Sequence, residues 1–315
     1  MIDYTHSVAF TVSDLEQAKR FYTHVLPFEI ISEAEVWGEP YERFSGVFGS
    51  RLRVARLRLG MQEIRLTQFV TPPHGRAIPR DSKSNDRWFQ HVALVVRDME
   101  GAYQWIQEHQ VQHVSTAPQT LPSYLSAATG IKAFYFRDPD GHNLELIEFP
   151  LGKGDPQWQE DHLERDQQFL GIDHTAIAVA STSQSLAFYH NQLGLQIAGI
   201  SENYGTEQEH LNMVANARLH ITTLRASLGM GVELLQYLAP LNGRAIPSDT
   251  EANDVWYWET TLRSDNLEQE FARLKATCEW MLCSEIVELP NQEVYGFTRS
   301  FRLRDPDGHA IRIVE

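Results

Sequence analysis

The sequence predicts an α+β fold built from four βαβββ units. Two observations predict it. The two halves of the 315-residue chain repeat each other, and within each half a strand–helix–strands order occurs twice. His6 recurs as His174, Gly75-Arg-Ala-Ile-Pro79 as Gly243-Arg-Ala-Ile-Pro247, Asn85-Asp86 as Asn253-Asp254, and Asp138-Pro-Asp-Gly-His142 as Asp305-Pro-Asp-Gly-His309, at an offset of 167 or 168 residues. A repeat this long in so few copies is not a solenoid.

The elements follow in order. His6, Val8, Phe10 and Val12 alternate on one face of an opening strand. Ser13 and Glu16 form a capping-box pattern ahead of Leu15, Ala18, Phe21, Tyr22 and Val25 at helical spacing. Strands are expected at 28–32, 54–59 and 64–69. After a proline-rich loop the order repeats: a strand from His91 to Val96, a helix over 98–108, and a closing hairpin through the Pro139-Asp140-Gly141 turn. The second half echoes this with a strand at 175–179, a helix carrying Phe188 and Tyr189, a strand at 232–237, Trp256-Tyr257-Trp258-Glu259, a helix near 267–274, and a last hairpin. Two tandem domains are expected, residues 1–150 and 169–315, joined by a Gly/Pro and charged linker over 151–168.

Composition narrows the function. A net charge of −15 argues against nucleic acid or an anionic membrane as a main partner. Two cysteines make neither a disulfide framework nor a cysteine-rich metal site. The Met-Ile-Asp-Tyr start carries no leader pattern and no apolar run is long enough to span a bilayer, so a cytoplasmic setting is expected.

The chemistry-bearing residues sit at repeat positions. Glu145 shares a strand face with Ile147 and Phe149, and a carboxylate there must be paired, protonated or bound to a cation. His6 and His91 lead equivalent strands. With Glu145 they form a candidate divalent-metal set of two imidazoles and one carboxylate. His142 and His309, in turn tips, are read as solvent-facing. Arg76 and Arg244, in the repeated loops, are read as structural partners of Asp81, Asp86, Asp249 or Asp254.

The His-strand-helix order ending in Arg-Asp-Pro-Asp-Gly-His-x-Leu-Glu-Leu resembles the vicinal oxygen chelate superfamily, which includes glyoxalase I, fosfomycin and bleomycin resistance proteins, methylmalonyl-CoA epimerase and extradiol dioxygenases. The resemblance implies two tandem cup-shaped domains of two units each, with metal ligands on the first and last strands of each unit. Carried over by halves, these positions are His6, Arg65, His91 and Glu145, then His174, Glu233, Glu259 and Arg312. A guanidinium cannot ligate a cation. The first half is therefore expected to hold Fe(II), Mn(II) or Zn(II) on three protein ligands, as in the family's dioxygenases. Arg65 would clamp a substrate anion, or else pair with Glu145 or Glu63. Tyr135, ten residues before Glu145, is the candidate proton donor. In the second half His174, Glu233 and Glu259 could hold a metal, but pairing of Arg312 with Glu233 or Glu259 favours a degenerate site. The expected function is a metal-dependent enzyme of small oxygen-chelating substrates. The alternatives are a glyoxalase-like isomerase or lyase, and a metal-free small-molecule binding protein.

Overall fold

The computed structural model describes residues 2–73, 75–159 and 167–315; His74 lies outside them. Four βαβββ units are present, as expected. Unit 1 contains β1 (Ile2–Thr11), α1 (Leu15–Arg20), β2 (Glu29–Trp37), α2 (Glu39–Ser45), β3 (Arg51–Leu59) and β4 (Gln62–Thr71). Unit 2 contains β5 (Gln90–Val96), α3 (Met99–Glu108), the short β6 (Gln112–His113) and β7 (Gln119–Thr120), β8 (Lys132–Arg137) and β9 (Asn143–Glu148). Unit 3 contains β10 (Phe169–Val179), α4 (Thr182–Leu186), β11 (Gln196–Tyr204), α5 (Thr206–Asn212), β12 (Arg218–Arg225), β13 (Leu228–Gly229) and β14 (Gly231–Ala239). Unit 4 contains β15 (Trp258–Ser264), α6 (Leu267–Cys278), β16 (Val287–Glu288), α7 (Gln292–Tyr295), β17 (Arg299–Arg304) and β18 (Ala310–Val314).

Local sequence explains the helix starts. Asp98 caps α3 by accepting from the amides of Glu100 and Gly101, and Asn266 caps α6 through Gln269. In α1 the cap is Asp14, accepting from Gln17, not Ser13. Ser13 is drawn away because its amide and hydroxyl both donate to Asp140 in the distant hairpin turn.

The units do not pair half by half. One curled sheet runs β16-β17-β18-β15-β1-β4-β3-β2 and joins unit 4 to unit 1. The other runs β11-β12-β14-β10-β5-β9-β8-β6 and joins unit 3 to unit 2. Each cup therefore takes one unit from each half, which corrects the assignment of one cup to 1–150 and the other to 169–315. The seams are two antiparallel pairs, β1 with β15 and β5 with β10. An apolar core that includes Phe10, Leu94, Phe136, Leu144, Ile172 and Trp258 ties all four units together behind the sheets.

The repeated loops are the clasps of this exchange. Arg76 donates to Asp254 and Asp249, and Arg244 donates to Asp86 and Asp81. Each arginine also lies over a tryptophan of the opposite half, Trp256 or Trp88. A Cβ on Gly75 or Gly243 would collide with Asp254 or with the Asn85 carbonyl, which explains the glycine in both loops. His142 and His309 are buried rather than solvent-facing: each pairs Nδ1 with its own turn aspartate and reaches the other half's backbone, at Val255 and Arg87, through Nε2. The part of the expected linker within the described residues is partly packed, with Trp158 donating to Asp173 on β10 at 2.7 Å. Residues 160–166 of that linker lie outside the described residues.

Because each sheet needs strands from both halves, residues 1–159 and 167–315 expressed as two separate chains are expected to co-purify one to one. Size-exclusion chromatography of the pair, and of 1–159 alone, tests this; a stable monomeric 1–159 would contradict the shared-cup arrangement.

Candidate metal centre

The seam between β5 and β10 determines which side chains meet. Its register places His174 opposite Ala93 and Ala176 opposite His91, so both histidines face the same side, one step apart along the diagonal. The parallel neighbours add carboxylates on that side: Glu145 beside Ala93, and Glu233 beside Ala176. The two intervening alanines leave the space that four functional side chains need. Gly231, opposite His174, does the same, since a Cβ there would lie 3.3 Å from that of His174.

The four groups converge. His91 Nε2 lies 3.0 Å from Glu145 Oε2, His174 Nε2 lies 3.5 Å from the same oxygen, and His174 Nε2 lies 3.4 Å from Glu233 Oε2. His91, Glu145 and His174 offer ligand atoms within 4.8 Å of one another, and all three are buried. Despite the short contact, neither ring nitrogen of His91 has a hydrogen-bond partner. A buried imidazole left without a partner is costly; ring nitrogens and carboxylate oxygens aimed at a common point, rather than at each other, suit a shared cation. The donor set of two imidazoles and two carboxylates fits a divalent first-row metal.

A second layer orients the set. Asp173 accepts from His174 Nδ1 at 2.9 Å, and is itself held by Trp158 and by Arg225 at 2.7 Å each. Thr223 donates to Glu233 at 2.5 Å. Burial alone would raise the Glu145 carboxyl, but the adjacent His174 and His91 imidazoles outweigh it and hold Glu145 at about 2. Burial opposes charge on His174, yet Glu233, Asp173 and Glu145 together push its pKa well above the usual histidine value. Tyr135 stands opposite Glu145 in the β8–β9 ladder, with its ring centroid 5.0 Å from that of His91. Burial, followed by the Glu145 charge, pushes its phenol well above 10. Tyr135, Glu145, Asp173, His174 and Glu233 border a cavity of about 580 Å³ whose walls also include the apolar Leu121, Ile131, Leu219 and Leu235.

The other cup has the same register and different residues. Its four equivalent positions are Ser7, Arg65, Glu259 and Arg312: Ser7 faces Thr261 and Ala9 faces Glu259 on β15, while Arg65 sits beside Ala9 and Arg312 beside Thr261. Glu259 accepts two hydrogen bonds from Arg312, at 2.6 and 2.8 Å, and one from Arg65 at 2.8 Å. This cup is a buried ion-pair network. Arg65 therefore clamps no ligand beside the histidines, and its partner is Glu259, not Glu145 or Glu63.

His6 is not part of the His91–Glu145 group. It lies on β1, in the other sheet, and a bulge between Thr5 and Ser7 shifts it by one place. Its counterpart in the bulged β10 is Asp173, and it contacts Ser7 Oγ at 3.0 Å as Asp173 contacts His174. The grouping of His174, Glu233 and Glu259 is likewise divided, with Glu259 in the other sheet. Asp173, missed from sequence, was signalled only by its place immediately before His174.

Two outcomes follow. Glu259→Ala strands two buried guanidinium groups, Arg65 and Arg312, and is expected to cost about 3–5 kcal/mol in urea unfolding, while metal content at the histidine cup stays unchanged. A loss under 1 kcal/mol would show that the network is dispensable. His6 is held down to about 4, chiefly by burial. The unfolded chain therefore takes up that proton first as pH falls below 6.5, and stability drops between pH 6.5 and 4 by at most about 3 kcal/mol. His6→Gln should flatten that limb of the stability–pH curve; an unaltered curve would exclude His6 as its source.

Comparisons with known proteins agree with this architecture. The family model described as the Glyoxalase/Bleomycin resistance protein/Dioxygenase superfamily matches residues 5–146 and again 171–313. A 2-epi-5-epi-valiolone epimerase from an Actinomyces species is 32% identical over 153 residues, covering 47% of this chain and 80% of that protein. The metallothiol transferase FosB of Staphylococcus epidermidis is 26% identical over 141 residues, 44% of this chain and 77% of its own. Glyoxalase I from Zea mays superposes with a TM-score of 0.61 at 14% identity, over 100% of this chain and 92% of that one, a likeness of fold. The matches cover both halves, and the chain belongs to the Glyoxalase/Bleomycin resistance protein/Dioxygenase superfamily.

Proposed function

We propose that the chain is a divalent-metal-dependent enzyme whose metal is held by His91, Glu145, His174 and Glu233, and that it catalyses an isomerase- or epimerase-type proton transfer on a small hydroxylated carbonyl compound. The observation that carries this reading is the convergence of those four side chains, three of which, Glu145, His174 and Glu233, line one cavity. The sequence argument for oxygenase chemistry rested on Arg65 occupying the fourth ligand position. In the cup that contains the histidines, Glu233 occupies it. That count favours Lewis-acid chemistry over oxygen activation.

The metal, when bound, would polarise a substrate oxygen and so acidify the adjacent carbon. Glu233 is the most accessible of the four, its side chain 18% exposed against 1–6% for the others. That makes it the group placed to take a proton from substrate and return it. Tyr135 keeps its proton near neutral pH and can donate it in a hydrogen bond to a substrate oxygen. Asn203 Oδ1 and Gln208 Oε1 are buried in the same cavity without partners. Amide oxygens left open in a wall of mixed polar and apolar side chains suit a ligand bearing hydroxyl groups, and the epimerase likeness supports that class.

Protein purified without chelator is expected to carry about one equivalent of Mn, Fe or Zn per chain by elemental analysis. His91→Ala and His174→Ala should lose it, and His6→Ala should keep it. Loss on His6→Ala, or no metal in the wild type together with no thermal stabilisation by added Mn, Fe or Zn, would overturn the assignment. Given metal, exchange of a substrate C–H for deuterium in a panel of hydroxyketones without oxygen uptake supports the proton-transfer reading; oxygen consumption with catechols would replace it with ring cleavage.

A further inference from the structure

We propose that the second cup, which has lost the metal ligands, binds a small inorganic anion of chloride size between Arg65 and Arg302. Arg65, Arg302, Arg312 and Glu259 are the charged side chains lining a cavity of about 30 Å³ in this cup. Three guanidinium groups thus face one carboxylate. Arg65 and Arg312 are 3% and 1% exposed, and an arginine does not shed its proton in a protein. Arg312 spends four of its five N–H donors, on Glu259, Ser300 and the Phe44 carbonyl. Its bidentate pair neutralises Glu259 once. Two positive charges remain on Arg65 and Arg302.

The hydrogen-bond inventory points the same way. Arg65 gives Nη2 to Glu259, but its Nε and Nη1 have no partner although both are buried. The rings of Phe44, Tyr295 and Phe297 lie 5.2–5.7 Å from its guanidinium carbon, which softens the cost of burial without supplying an acceptor. Arg302 gives one Nη1 hydrogen bond to the Ser45 carbonyl at 2.6 Å. Uncompensated buried charge is among the costliest features a fold can carry. An anion in the cavity would meet the open donors of Arg65 and offset the excess charge. Size sets the class: a cavity needs roughly 10–15 Å³ on this measure to hold one water, so this one admits a monatomic anion but not a phosphate ester or an organic acid. The histidine cup has no such excess, because its charged walls mix acids with histidine and arginine.

The test follows thermal unfolding of the full-length protein at constant ionic strength, replacing sodium gluconate stepwise by sodium chloride. The midpoint is expected to rise saturably, by on the order of 3 °C at tenfold the half-saturating concentration. In Arg65→Met, which keeps the Arg312–Glu259 pair, the rise should vanish. Equal midpoints in gluconate and chloride for the wild type, or an unchanged chloride response in Arg65→Met, would overturn the proposal. Should Arg65→Met fail to fold, crystals of wild-type protein soaked in bromide decide: an anomalous peak against Arg65 supports the site, and water density there with no peak refutes it.

Discussion

The antiparallel pairing of β5 with β10, and of β1 with β15, is the constraint on which everything else depends. These seams determine which first strands lie side by side, and hence which leading side chains share a cup. Had β1 paired with β5 in the same register, Ser7 and Arg65 would face His91 and Glu145. Because β5 pairs with β10, His91 and Glu145 meet His174 and Glu233 instead. The clasp of Arg76 with Asp254 and Arg244 with Asp86 fixes that choice from outside the sheets. Their repetition in both halves is the mark of a twofold exchange, not of two ligand loops.

The exchange sorts the charges. Read by halves, each half had swapped one acidic position for arginine and seemed half-competent. Read by cups, one holds two imidazoles and two carboxylates, and the other holds Ser7, Glu259 and two arginines. A cation in the first would satisfy the ligand atoms of His91 and Glu145 together. In the second, Arg312 lies where a cation would have to sit, and its bidentate grip on Glu259 replaces it. One cup has kept the means of binding a metal, and the other has become a structural ion-pair core.

Much of this was legible in the sequence. The four units, the repeat and the structural role of the Gly-Arg-Ala-Ile-Pro loops could be read from spacing and residue chemistry, and the family resemblance pointed to the positions of His91 and Glu145 and of His174 and Glu233, divided between two sites. Two things could not. Which units share a sheet is a long-range choice that period and propensity do not encode. The bulge that puts Ser7, not His6, in the place of His174 is a one-residue register event, hidden by the coincidence that both strands carry a histidine at the same repeat offset. Ser13 failed as a cap for a similar reason, since Asp140, 127 residues away, claimed it. In each case a distant partner overrode a local signal.

The corrected grouping changes the chemistry that must be explained. A three-ligand site leaves coordination positions for both substrate and dioxygen, whereas a fourth ligand, here a carboxylate, would take one of them and, in the proposed reaction, bring a base to the substrate's edge. Glu233 would suit that double role because it keeps part of its surface open, with Thr223 donating to it and His174 3.4 Å away. Glu145, buried and kept ionised by two imidazoles, lacks that freedom. Two carboxylates in one set, one deeply buried and one partly exposed, are the asymmetry that the proposed proton transfer would use. The pairing of the strands, more than the identity of any one residue, supplies it.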